Sequence, residues 1–404
     1  MKFLFALGLC LPAIWPAVVR AEDWLDRLDE SLTVATPDAN IRAHLSGLVD
    51  LEAYRFSDVA PGLIDTPNHG LFNPRLTLLL DAQLGPKLYL FVQTRVDRGF
   101  DPSDDGARMR LDEYALRFTP WEDGRLNIQI GKFSTVVGNW TSRHLSWDNP
   151  FINAPLPYEA VTAVSDLEPP AGRSDFGHVS ARQKYEHLPV LWGANYTTGI
   201  SIAGRWKKFD YAIELKNAAL SSRPESWSLT DTGFEHPTVS GRLGFRPNEA
   251  WNAGISASRG SYLRPEAGDH LPPGKGIGDY AQTVLGADAG YAWHHWQWWA
   301  EVYGARFEVP RVGNADSLAY YLEGKYKFTP QLFGALRWGQ QFFAGVNGDN
   351  EFGRPSQDRW QTDAALAYRF SAHTQLKLQY SLTRGEIGAE GLNHVWAAQF
   401  TVRF

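Results

Sequence analysis

Three arginines and four carboxylates are placed to do electrostatic rather than covalent chemistry. Arg95, Arg117 and Arg337 lie in segments where apolar and polar residues alternate, each on the polar side of its segment. Asp148, Glu159, Asp166 and Glu168 lie together in one long stretch, 137–196, that interrupts the alternation. If that stretch faces the arginines across a narrow water gap, the opposed charges create a transverse field. Low-dielectric walls focus such a field, which orients polar solutes and disfavours apolar ones. The plainer reading pairs each charge with a neighbour on an adjacent segment. Within 137–196, the run from Ser146 to Glu159 is stiffened by Pro150, Pro155 and Pro157. Its Trp147 and Tyr158 offer ring faces for a sugar-like solute, or else pack the stretch against whatever surrounds it.

Other reactive constellations are weaker. His294 and His295 are adjacent, so on a strand they point to opposite faces, and no acidic or histidine partner stands at ligand spacing. Leu271 to Gly276 contains a Gly-Lys pair but lacks the Ser or Thr that a phosphate-cradling loop requires. No serine–histidine pair on an apolar face stands out as a nucleophile and base. Neither a metal nor a cofactor is therefore expected. The one cysteine, Cys10, lies in the amino-terminal apolar run and leaves no disulfide framework. The net charge of −6 argues against general nucleic-acid binding.

The elements that must position the charges repeat with period two. Alternation marks sixteen strands: 43–56, 74–84, 87–97, 108–119, 126–136, 197–206, 209–218, 238–246, 251–260, 280–292, 296–308, 317–328, 331–342, 359–370, 375–384 and 393–404. An eighteen-strand count follows if 185–196 joins a further hairpin. Tight turns such as Gly85-Pro86 and Lys207-Lys208 alternate with long connections at 57–73, 98–107, 137–196, 219–237, 261–279, 309–316, 343–358 and 385–392. A membrane-spanning helix needs roughly 20 apolar residues, and no such run follows residue 21. Mean hydropathy is only −0.33. Yet 13% aromatic residues and 37 glycines fit strands that are half lipid-facing and end in aromatic girdles.

At the start, Lys2, the apolar run from Phe3 to Val19 and the small residues around Ala21 read as a signal peptide over 1–21. Residues 22–40 form a short leader in which Trp24, Leu25, Leu28 and Leu32 have helical spacing, enough for a small helix at one mouth. The barrel then runs from 41 to 404. The final strand, His394 to Phe404, ends on an aromatic residue and resembles the terminal strand of bacterial outer-membrane β-barrels. That likeness implies recognition by the barrel assembly machinery and contact with outer-membrane lipids.

Gln129-Ile-Gly-Lys-Phe-Ser134, which leads into 137–196, and Leu366–Phe370 through Gln375–Tyr380 resemble bacterial porins, most of all the phosphate-selective O and P type. The resemblance implies an all-β transmembrane antiparallel barrel, a third loop folded into the lumen as a constriction, and a homotrimer. It also implies passive passage of small hydrophilic solutes or ions across the outer membrane. The inward charges depart from the phosphate-selective pattern by carrying both signs. A barrel-embedded, phospholipase-like enzyme and a non-conducting receptor or adhesion barrel are the alternatives.

Overall fold

A computed structural model describes residues 24–404 apart from 39, 65, 98–107, 180–183, 185 and 350–352. The expected signal peptide lies outside the described residues. A short strand, β1 (Thr33–Ala35), precedes β2 (Ile41–Phe56), β3 (Gly70–Leu84), β4 (Leu88–Asp97), β5 (Arg108–Phe118) and β6 (Asn127–Phe133). After the long connection come β7 (Thr197–Trp206), β8 (Phe209–Lys216), β9 (Thr238–Phe245), β10 (Trp251–Ser261) and β11 (Ala281–Trp293). The chain closes with β12 (Trp296–Val309), β13 (Gly313–Lys327), β14 (Leu332–Phe343), β15 (Arg359–Arg369), β16 (Thr374–Arg384) and β17 (Leu392–Arg403). Each of β2 to β17 pairs antiparallel with its successor. β17 then pairs back onto β2, from Val395↔Phe56 to Arg403↔Leu48, which closes a sixteen-stranded barrel. Among the described residues, 186–196 add no strand to the barrel, with only an isolated bridge between His187 and Ser165.

Closure follows from the alternation. Leu366, Leu378, Leu336 and Trp396 stand exposed on the outer face, while their neighbours Ala365, Gln379, Arg337 and Ala397 are buried inside. In an antiparallel barrel every backbone group of an inner strand finds a partner, and no edge remains to be satisfied in lipid. β2 extends below the end of β17, and β1 covers this overhang by pairing Thr33–Ala35 with Arg42–His44. Residues 24–31 are helical. Asp26 accepts from His373 at 2.7 Å and Asp29 meets His44 at 2.9 Å, which holds this helix at the end of the barrel that carries both termini.

That end also carries the tight turns. The two-residue turn His294-His295 is made by placing His294 at φ 51°. On the outer face beside it, Trp251 stacks on Tyr291 at 4.2 Å and Trp296 on Trp298 at 5.1 Å. Such rings belong at a membrane–water boundary, where an amphipathic ring is solvated on one edge only. One long connection expected from sequence is absent: β12 and β13 meet through residues 310–312 alone. Asn314 and Asp316 end the apolar stripe and so read as loop. They are outward strand residues instead, with Arg306 forked onto Asp316 at 2.7 and 2.8 Å.

A second departure lies in β5. Glu113 pairs with Gln93 but Leu111 pairs with Thr94, so Asp112 is a bulged extra residue. A bulge re-aims side chains. Here Asp112 is buried and Glu113 half-buried, while Leu111 and Tyr114 stay outside.

Candidate functional site

The segment between β6 and β7 rests against the inner wall, and each neighbouring strand from β12 to β16 contributes a polar inner residue to hold it. Glu301 on β12 accepts the amides of Asn139 (2.5 Å) and Trp140 (2.8 Å), and the hydroxyl of Tyr158 (2.6 Å). Glu323 on β13 accepts from Arg143 at 2.6 Å. On β14, Arg337 donates to Asn153 Oδ1 at 2.7 Å and to the Ala154 carbonyl at 3.0 Å. Arg359 on β15 donates to the Val161 carbonyl at 2.8 Å. Lys377 on β16 caps the carbonyls of Ser146 (2.6 Å), Asn149 (3.1 Å) and Phe151 (3.2 Å), and Gln379 accepts the Ile152 amide at 2.6 Å.

Charge-assisted bonds are short and strong, and loop backbone carried away from water needs partners for its amides and carbonyls. The wall supplies both. Gly138 makes the closest approach possible. Its φ is 82°, and an added Cβ would lie 2.2 Å from the Tyr303 hydroxyl and 2.4 Å from that of Tyr158.

The predicted site residues separate into different environments. Arg337 is 2% exposed, bonded to Asp363 at 2.8 Å and stacked on Phe151 at 4.4 Å, so it anchors the segment from inside the wall. Arg95 sits 3.0 Å from Asp97 and 3.4 Å from Asp112. Arg117 donates to Gln129 at 2.9 and 3.0 Å and lies over the rings of Tyr89 and Phe91. Asp166 is fully buried in a fork with Arg223 at 2.7 and 2.9 Å, far in sequence from the three expected arginines. Asp148 and Glu168 are exposed, and the cations that act on Asp148 include Lys325 and Arg369.

Glu159 lies under the influence of Arg337. It accepts from the Asn153 side chain and the Ala154 amide, both at 3.2 Å. Burial nonetheless pushes its pKa up to about 8, with Arg337 opposing the rise. The expected row of acids facing Arg95, Arg117 and Arg337 is thus replaced by separate, locally satisfied groups.

The two aromatic candidates are also enclosed. Tyr158 has no exposed surface: Trp140 lies 4.6 Å away and Tyr303 meets it edge-on at 5.9 Å. Trp147 is covered by Arg403 at 4.4 Å and Arg369 at 4.8 Å. Both rings pack the segment in place instead of offering a bare stacking face.

Sequence reading missed Arg110 and Asp112, because the β5 bulge shifts the period. The adjacent acids Asp112-Glu113 inside an alternating run were the available signal. It also missed how apolar the end of the lumen bearing the long connections is. Phe307, Val309 and Ala315 on the inner wall pack with Leu188, Trp192 and Tyr262, as in the core of a soluble domain. Below this core, a cavity of about 120 Å³ is bordered by Arg75, Arg95, Trp140, His144 and Tyr196. A wider space of about 450 Å³ opens towards the tight turns, against Arg117, Gln129, Ser201, Asp210, Arg242 and Arg246.

No protein-family model matches the chain, and no curated protein matches it. Solved structures do. OmpF of Salmonella typhi, solved with daunomycin, superposes with a TM-score of 0.58 over 92% of this chain and 100% of its own, at 11% identity. The outer-membrane channel DcaP of Acinetobacter baumannii gives 0.57, covering 92% and 99% at 10% identity. An anion-selective porin from Comamonas acidovorans gives 0.56, covering 90% and 100% at 11% identity. The fold is that of the outer-membrane porins.

Proposed function

We propose that this chain is a porin of the bacterial outer membrane, through which small hydrophilic solutes or ions diffuse passively without a cofactor. One observation carries the reading. Residues 139–161 are bonded chiefly to β12 to β16, while the inner faces of β5 to β9 near the tight turns keep half-buried polar groups facing open space. A loop laid against one side narrows a lumen, and the side it leaves bare sets what passes. In that bare lining Arg242 and Arg246 are paired with Asp210 and Asp288 while Arg117 makes no ion pair with a described residue, a net positive balance, so anions are expected to pass more readily than cations.

Phosphate selectivity of the O and P type has less support. Arg75 is paired with Asp50 and Glu52, and Arg242 with Asp210 and Asp288, so neither offers an open positive rung. The apolar core at the loop end of the lumen favours one other reading, a non-conducting receptor barrel.

Single-channel recording of the purified protein in a planar bilayer under a salt gradient separates the two. Stable steps in three equal levels with an anion-side reversal potential support a trimeric porin. A folded barrel that passes no current overturns the proposal.

A further inference from the structure

We propose that the cross-strand row Arg117, Gln129 and Ser201 binds a hydroxylated monocarboxylate of sugar size, such as a hexuronate, inside the lumen. Access of solute to the row rests on the porin reading above. Strand register builds the row. Arg117 on β5 pairs with Gln129 on β6, and Gln129 pairs with Ser201 on β7. All three border the same space of about 450 Å³. Neighbouring strands lie about 4.8 Å apart, so a guanidinium, an amide and a hydroxyl stand in line over roughly 10 Å. One pleat nearer the tight turns, the inward positions of β7 and β8 are Ala203 and Ala212, again in register. Their small side chains leave room in front of the row, and Asp210 with Arg242 bounds the far side.

The donors that remain open decide the ligand. Gln129 gives its side-chain oxygen to Arg117 Nε and Nη2, which leaves its Nε2–H group without a partner among the described residues. Ser201 is buried, and its hydroxyl makes no hydrogen bond with a described residue. The acids that act on Arg117 are occupied elsewhere, Glu113 by the Ser134 amide and Asp81 by the Tyr89 hydroxyl. A guanidinium held by a neutral amide and flanked by the rings of Tyr89 and Phe91 keeps its charge for a ligand. Its planar fork matches one carboxylate. The far side argues against a second negative charge. Asp210 already takes Arg242 at 2.8 Å and Arg246 at 3.0 Å, and its carboxylate is an acceptor suited to hydroxyl groups. A solute with one carboxylate at one end and hydroxyls along the rest meets each of these groups with its complement.

The test is equilibrium dialysis of the purified full-length barrel in detergent against radiolabelled glucuronate, glucose, acetate and a hexose phosphate. Glucuronate should bind most tightly of the four. Arg117→Gln should weaken glucuronate about tenfold, as for loss of a hydrogen bond to a charged group, and leave glucose unchanged. Ser201→Ala should weaken glucuronate and glucose alike by about fivefold, as for a neutral hydrogen bond. Asp210→Asn should narrow the margin over the hexose phosphate. Arg117→Lys should retain most of the affinity and Glu168→Gln all of it, which separates loss of the site from loss of the fold. Equal binding of glucuronate and glucose, or no loss in Arg117→Gln, overturns the site. Tighter binding of acetate or of the hexose phosphate overturns the ligand class. Dialysis needs no current. A barrel that conducts without binding fails this proposal alone, and one that binds without conducting fails the channel alone.

Discussion

The two sides of the lumen carry similar residues to different ends. On β12 to β16, Glu301, Glu323, Arg337 and Lys377 are each at most 3% exposed and are spent on residues 139–158 of the connecting segment. Near the tight turns of β5 to β9, Arg117, Gln129, Asp210 and Arg242 remain half-buried beside open space. Strand alternation aims both sets inward in the same way. What differs is the thing opposite: peptide groups that must be satisfied on one side, water on the other. An inward charge in a barrel is therefore an anchor or a filter according to where the loop lies.

The comparison is broken most severely at Arg337. Arg337→Met leaves Asp363 and Asn153 without their buried partner, and losing one member of a buried pair costs roughly 3–5 kcal/mol. The urea midpoint of the folded barrel should fall sharply, and single-channel traces should become noisy as 150–155 loosens. An unchanged midpoint and quiet traces would show that the segment is held without this arginine.

Arg117→Glu works on the other side. It should move the reversal potential towards cations under a salt gradient, with little effect on the midpoint, because among the described residues Arg117 hydrogen-bonds only Gln129. A large loss of stability with no change of ion preference would exchange the roles assigned to the two sides.

Glu159 sharpens the comparison through pH. Its folded pKa of about 8 lies above the ordinary glutamate value. The folded barrel therefore holds this proton where the unfolded chain has lost it. Stability from this group is full below about 4.5, falls as pH rises, and is lost above about 8. Glu159→Gln should flatten that part of the pH dependence of the midpoint, and an unaltered slope would assign it elsewhere. The smallest effect belongs to Glu168, exposed and outside the anchoring network. Glu168→Gln should shift stability by less than about 0.5 kcal/mol and leave conductance unchanged.

Much of the barrel was legible because period-two alternation is imposed by lipid on one face and a solvated or packed lumen on the other. Leu376-Lys377-Leu378-Gln379-Tyr380 could be assigned to its two faces residue by residue. Legibility failed where a local exception broke the period. The β5 bulge hid Arg110 and Asp112, and the outward polar residues Asn314 and Asp316 made the start of β13 read as a loop. Tyr158 and Trp147 looked like stacking faces because nothing in a linear sequence tells an exposed ring from one covered by Tyr303 or Arg403.

By itself, then, the sequence determined the strand pattern and, outside the β5 bulge, which charges face inward, since these follow from residue type and spacing. The tertiary structure alone decided which charges meet. Arg337 reaches Asn153 across 184 positions, and Asp166 finds Arg223 rather than an arginine of the wall. Such pairings depend on the path of one long loop through a closed barrel. That path is fixed by packing and by the need to satisfy buried peptide groups, neither of which has a period to read.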